Sequence, residues 1–194
     1  CMLDHLPAMA EAGITSFKIE GRMKGIHYVA TTVQVYRQAL DRYATDPAGY
    51  RVDPRWGAEL AKVGHRGYGT GFYLEATADQ APNYDNLQVA AQRFVGKVLV
   101  QPEDSHRPAD GVHVQVRNKI SCGDLIEHLP RRGTARAVTV EEIWNMEGES
   151  VAVVQPGSEA WLKVALPDCR PHEILRRVAS GTPAEGGDHA PSGR

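Results

Sequence analysis

Ser16-Phe-Lys-Ile-Glu-Gly-Arg-Met-Lys24 is the stretch whose reading decides the fold. Ile14 to Ile19 reads as a short buried strand. It runs into four charges within seven residues, Lys18, Glu20, Arg22 and Lys24. A long amphipathic segment follows at once. A strand passing through a charged turn into a helix is how a β/α barrel builds a site at the carboxyl ends of its strands.

Downstream, Tyr28, Val29, Thr32, Val33, Tyr36, Ala39, Leu40 and Tyr43 recur at spacings of three and four. This predicts a helix over His27 to Tyr43 with one buried stripe, and Arg37, Gln38, Asp41 and Arg42 on its other side. Asp46-Pro47 ends it, because the residue before proline resists helical dihedrals. Upstream, Asp4 is expected to cap a helix over His5 to Ala12. Pro7 falls in that helix's first turn, and Gly13 supplies its stop. One strand and two helices cannot close a barrel or cover the long helix's stripe. The chain, which opens on Cys1 with no strand before it, therefore reads as the carboxyl-terminal part of a larger enzyme, with residues 1–45 as the end of a TIM-like barrel.

Residues 46–92 read as an ordered connector. A short helix is expected over Ala58 to Val63, anchored by Trp56. Four glycines fall within Gly64-His-Arg-Gly-Tyr-Gly-Thr-Gly71, and Asn83-Tyr-Asp-Asn86 adds turn residues. From Phe94 the pattern becomes short β runs: Phe94–Val100, Val112–Val116, Asp124–Leu129, Ala135–Trp144, Val151–Val154, Trp161–Ala165 and Glu173–Val178. Their spacing predicts a small antiparallel β-barrel over residues 93–178. Residues 179–194 are Gly, Pro, Ser and charge without an apolar face, and are expected to be disordered. The fold class is thus α/β plus all-β.

The 194 residues are 42% hydrophobic and 24% charged, with a net charge of −2. No global basic field advertises nucleic-acid binding, so any RNA contact is expected to be local or supplied by the missing part, and no DNA partner is expected. No apolar run approaches the ~20 residues of a membrane helix. Cys1, Cys122 and Cys169 are few, odd in number and far apart, which does not make a disulfide framework. A reducing cytoplasm is the default compartment.

Cys1-Met-Leu-Asp-His-Leu-Pro7, Ala12-Gly-Ile-Thr-Ser-Phe-Lys-Ile-Glu-Gly-Arg-Met-Lys24, His27-Tyr-Val-Ala30 and Val35-Tyr-Arg37 together resemble the end of the catalytic barrel of peptidase family U32, the collagenase-like proteins. Gly67-Tyr-Gly-Thr-Gly-Phe-Tyr73, Asn83-Tyr84, Phe94-Val-Gly-Lys-Val98 and Arg117-Asn-Lys-Ile-Ser-Cys-Gly-Asp124 resemble the small β domain carried by one branch of it. Several members act in hydroxylation rather than proteolysis. The branch with the β domain is similar to proteins of prephenate-dependent tRNA hydroxylation, which form 5-hydroxyuridine at the wobble position. Relatives act on ribosomal RNA or in anaerobic ubiquinone synthesis. The resemblance implies an iron–sulfur (4Fe–4S) cluster on four barrel cysteines, the last of which precedes a Leu-Asp-His-like segment. Cys1 stands at that place, and the other three would lie upstream.

Glu20 and Arg22 flank Gly21 and can face one pocket. Arg22 could grip a carboxylate bidentately, as in prephenate, and Glu20 could accept a hydrogen bond or a proton. The plainer reading is a salt-bridged belt at a barrel rim. Lys18 is one alternation from Glu20 and would support it. Lys24 meets a phosphate or only solvent. His5, His27 and Tyr28 read as capping or packing groups, and His65 and Arg66 as part of a structural turn, since no phosphate-loop spacing is present. Cys122 and Cys169 match no ligand spacing. The basic residues of the β region, including Arg93, Lys97, Arg131 and Arg132, either dock RNA or face solvent. The leading function is therefore tRNA hydroxylation, with Cys1 as a cluster ligand, Glu20, Arg22 and Lys18 at the site, and tRNA as partner. A U32-type peptidase is a second reading, although no Gly-x-Ser-x-Gly or His-Glu-x-x-His motif is present. A non-catalytic RNA- or protein-binding β module is a third.

Overall fold

Local turn chemistry closes the first helix. A computed structural model describes residues 1–65, 67–71, 73–74, 92–102, 108 and 110–178. The expectations for Arg66, for Asn83–Asn86 and for the tail from 179 onward lie outside these residues. After a 3-10 turn over Leu3–His5, helix α1 spans Leu6–Glu11. Gly13 has φ +84°. Gly13 N–H donates to Ala10 and Ile14 N–H to Met9, which is a Schellman closure that favours glycine. Asp4 does not cap α1. It lies inside the 3-10 turn, and the cap position falls on His5, whose side chain makes no capping bond.

Residues 14–20 form no strand. A strand exists only where a neighbour pairs its backbone donors and acceptors, and none lies beside this segment among the described residues. Residues 1–45 hold helices but no strand, so the expected barrel end is not seen there.

Helix α2 spans Ile26–Thr45, starting one residue before the expected helix and ending two after it. Its buried face is rotated from the expected stripe. His27, Thr31, Thr32, Gln34, Val35 and Ala39 are buried, whereas Val29 and Val33 are 37% and 45% exposed. The cause is what α2 packs on. Gln34 Nε2 donates to the carbonyls of Pro130 (2.6 Å) and Gly133 (3.3 Å), and Gln38 Nε2 to Gly133 at 3.0 Å. These bonds satisfy polar groups that helical periodicity assigns to solvent. Of the expected stripe only Val29 and Val33 stay exposed: Tyr36, Ala39, Leu40 and Tyr43, with Val35, pack with Leu3, Leu6, Tyr50, Trp56 and Leu60.

Helix α3 spans Pro54–Ala61. Asp53 caps it by accepting from Arg55 N–H, and Trp56 and Leu60 are buried. Pro54 fits the first helical position because its missing N–H would be unpaired there anyway.

The β region holds β1 (Phe94–Val98), β2 (Gly111–Val116), β3 (Ile120–Ser121), β4 (Leu125–Leu129), β5 (Arg136–Thr139), β6 (Glu142–Trp144), β7 (Val153–Val154), β8 (Glu159–Lys163) and β9 (Ile174–Arg177). Seven form an antiparallel sheet in the order β5-β4-β9-β1-β2-β8-β6, and β3 pairs with β7. The two outermost strands, β5 and β6, are consecutive in sequence, joined only by Val140 and Glu141. In a flat sheet they would lie about 29 Å apart, at ~4.8 Å per strand. Two linking residues reach roughly 10 Å. The sheet must therefore curl. Val140 N–H bonds the β4 side at Asp124, and Glu141 N–H bonds the β8 side at Lys163. The expected barrel is realised as this curled sheet, whose edges meet at a bent corner rather than through a closing ladder. Its core includes Val95, Val114, Ile126, Ile143, Leu162 and Leu175. No helix among the described residues is long and apolar enough to cross a membrane.

Candidate functional site

The turn of residues 21–24 begins the site. Lys24 N–H donates to Gly21 at 2.9 Å. A Cβ on Gly21 would lie 2.9 Å from Val29 Cγ2, so glycine lets this turn lie against the first turns of α2. The turn delivers Lys24 to a cleft of about 630 Å³, shared with Cys1, Tyr28, Tyr36, His65 and Tyr68.

The walls of this cleft are aromatic. His65 and Tyr68 stack with ring centroids 4.4 Å apart and 19° between planes. Lys24 Nζ lies 5.2 Å from the Tyr28 ring centroid, within cation–π range. Tyr68 hydroxyl donates to the Leu60 carbonyl at 2.6 Å, which fixes the ring. Burial, and then the nearby Tyr28, push the Tyr68 phenol up to about 12. Burial also raises Tyr36, opposed by the hydrogen bond that its oxygen accepts from Met2 N–H at 3.0 Å. Both phenols therefore stay neutral near pH 7. Cys1 is exposed, with Sγ 3.3 Å from the Tyr36 hydroxyl. Ring faces beside an ammonium group make a surface for a planar aromatic group with a phosphate attached.

Lys18 and Glu20 do meet, with Nζ 3.5 Å from Oε2, but on the surface, with 87% and 72% of their side chains exposed. Arg22 is exposed and has no partner among the described residues. Met23 and Lys24 line the cleft beside Cys1, whereas Glu20 and Arg22 do not. The fold thus puts Cys1 together with Lys24, and leaves Lys18, Glu20 and Arg22 on the adjoining rim segment. Tyr36, His65 and Tyr68 had no site signal in the sequence beyond an aromatic and glycine-rich connector, because they come from α2 and from the segment after α3.

A four-thiolate cluster fits this cleft only in part. Cys1 is its single thiol, and Cys122 and Cys169 belong to the β region. His27 is a packing group, as expected: it is buried at 7% exposure and stacks on Phe94 with centroids 6.3 Å apart. Burial, and then the Arg176 guanidinium, push its imidazole down to about 4.

Two family models match the chain in succession: Peptidase family U32 over residues 1–83 and Peptidase family U32 C-terminal domain over residues 90–176. The chain is 35% identical over 156 residues to the tRNA hydroxylation protein P1 of Bacillus subtilis, covering 77% of this chain and 35% of that protein. It is 35% identical over 180 residues to the tRNA hydroxylation protein P of Escherichia coli, covering 91% and 38%. It is 29% identical over 181 residues to the 23S rRNA 5-hydroxycytidine C2501 synthase of Escherichia coli, covering 89% and 25%. The chain thus spans little more than a third of the length of the tRNA hydroxylation proteins it matches. With both family regions represented in order, the chain belongs to peptidase family U32.

Proposed function

We propose that this chain works within an RNA-hydroxylation protein that acts on tRNA, forming 5-hydroxyuridine at the wobble position. The observation that carries the reading is the juxtaposition of Cys1 with aromatic rings and Lys24 in one cleft. A base stacked on Tyr28 or Tyr68 would keep its phosphate near Lys24 and its ring edge near the thiol. The names of the relatives, tRNA hydroxylation proteins and an rRNA hydroxycytidine synthase, support the same class of substrate.

In this reading Cys1 is one ligand of a 4Fe–4S cluster whose other thiolates come from outside the chain. Such a cluster supplies electron-transfer chemistry when bound. Prephenate is the proposed co-substrate, with Arg22 gripping a carboxylate, Glu20 accepting a proton or hydrogen bond, and Lys18 holding Glu20 in place. The β region, through basic residues such as Arg131 and Arg132, would help seat the tRNA. The peptidase reading gains nothing from the cleft, since the polar contact of the Cys1 thiol is a tyrosine hydroxyl and not a base.

The test is Cys1→Ala in the full-length polypeptide, expressed in cells lacking the endogenous activity, with tRNA nucleosides measured by mass spectrometry. Loss of wobble 5-hydroxyuridine is the expected result. Undiminished modification would remove Cys1 from the chemistry.

A further inference from the structure

Outside that cleft, the β region brings together an imidazole, a thiol and a carboxylate. We propose that His128, Cys169 and Glu173 form a three-ligand site for a divalent transition-metal ion, with Zn²⁺ best matched to the donor set. His128 sits near the end of β4, Glu173 directly precedes β9, and Cys169 lies in the connection between β8 and β9. The pairings His128↔Leu175 and Leu129↔Ile174 set Glu173 diagonally across from His128, within side-chain reach. The three ligand atoms all lie within 4.8 Å of one another.

The distances suit a tetrahedral ion. Zn–N near 2.05 Å and Zn–S near 2.3 Å separate nitrogen and sulfur by about 3.5 Å at a tetrahedral angle. His128 Nε2 and Cys169 Sγ are 3.6 Å apart. His128 Nε2 and Glu173 Oε2 are 2.8 Å apart and hydrogen-bonded. That edge opens to about 3.3 Å around zinc, so the carboxylate has to withdraw by roughly half an ångström.

The surroundings are those of a built site. Glu173 is 4% exposed and His128 5%. Glu173 Oε1 accepts from Arg131 N–H at 3.0 Å and Oε2 from Arg170 N–H at 2.8 Å, so the backbone fixes the carboxylate in the way outer groups fix a metal ligand. Cys169 opens on a cleft of about 720 Å³ that also touches Val98, His113, Lys163 and Pro167. This cleft gives an ion an approach from the sulfur side; His128 and Glu173 do not line it. Cys169 is a thiol in the metal-free protein, pushed up to about 12 by burial and then by the Glu173 charge. Binding therefore releases the sulfur-bound proton to solvent and also requires the proton that His128 Nε2 shares with Glu173 to leave that nitrogen, by transfer to Nδ1 or to solvent.

Co²⁺ is the probe, followed by Zn²⁺ competition, on the 194-residue chain carrying Cys1→Ser and Cys122→Ser, so that Cys169 is its only thiol. The expected result is one Co²⁺ per chain with a thiolate-to-cobalt charge-transfer band, displaced by one equivalent of Zn²⁺, and a thermal midpoint raised by Zn²⁺. Adding Cys169→Ser should abolish the band, and His128→Gln should weaken binding at least tenfold. No band at micromolar Co²⁺ overturns the site, as does a band that survives Cys169→Ser. If both added variants fail to fold, the stoichiometry and band of the parent protein still decide.

Discussion

Arg176 on β9 donates from Nη2 to Glu59 Oε2 on α3 at 2.6 Å, with none of its side chain exposed. Its Nε donates to Glu127 Oε2 on β4 at 2.7 Å, and Lys62 Nζ reaches Glu59 Oε1 at 2.6 Å and Glu127 Oε1 at 3.2 Å. Two cations and two carboxylates thereby pin the helical segment to the curled sheet. Burial pushes the Glu59 carboxyl up, but hydrogen bonds from Lys62 and Arg176 outweigh it and hold the group below its ordinary value.

Removing Arg176 strands two carboxylates with Lys62 alone. Arg176→Ala is expected to destabilise the chain by about 3–5 kcal/mol, as for a buried pair broken on one side. Arg176→Met together with Glu59→Gln and Glu127→Gln should recover much of that loss. Urea unfolding measures both, and an Arg176→Ala loss below ~1 kcal/mol would mean the cluster does not hold the two parts together.

His27 sets a pH dependence. Its folded value is about 4, against an ordinary 6.5 for histidine. Between these limits the unfolded chain binds a proton that the folded chain refuses. Stability is therefore full above about pH 6.5 and falls as pH drops toward 4, by on the order of 3 kcal/mol at most. His27→Gln should flatten stability across that window while leaving the carboxylate-driven loss at lower pH. Chemical denaturation at stepped pH checks this, and an unchanged slope in the variant would assign the effect elsewhere.

Gly96 lies on β1, opposite Val116 of the adjacent β2. A Cβ there would stand 2.6 Å from Val114 Cγ1 and 3.0 Å from the Gln115 carbonyl oxygen. Gly96→Ala should cost about 1–3 kcal/mol through overpacking. In a double-mutant cycle, Gly96→Ala should cost less in a Val114→Ala background than in the native chain. Thermal or urea midpoints across the cycle distinguish crowding from a loss of backbone freedom, which the second change would not relieve.

The cleft predicts a graded effect on tRNA. Tyr28→Ala should weaken tRNA binding by roughly 5- to 150-fold, the range of one lost base stack. Tyr28→Phe should keep most of the affinity, because the ring face is retained. Lys24→Gln should instead reduce the salt slope by about one phosphate contact. Filter binding over a salt series in the full-length protein reads all three. Equal losses for Tyr28→Ala and Tyr28→Phe would argue for a hydroxyl contact in place of stacking.

Most β segments were legible because alternation records which side chains face a core, and β1, β2, β4, β8 and β9 fall within or beside the expected runs. Ala135–Trp144 reads as one strand but is two, since its bend at Val140–Glu141 arises from leaving β4 for β8. Ile120–Ser121 is too short for any period to show and exists only through its pairing with Val153–Val154. Spacing alone brought Lys18 to Glu20. It could not bring Cys1 to Tyr36, or His128 to Cys169 and Glu173.

The sequence by itself determined α1 and α2 to within two residues, the Gly13 stop, most strands and the family, because each of these is written in neighbouring residues or short motifs, whereas α3 begins four residues before the expected Ala58. The tertiary structure alone decided that Gln34 is buried, that Val29 and Val33 are not, and which distant side chains share a cleft. Periodicity fixes the faces of an element, but only ladder register and helix docking choose what each face meets, and both depend on the whole chain closing on itself.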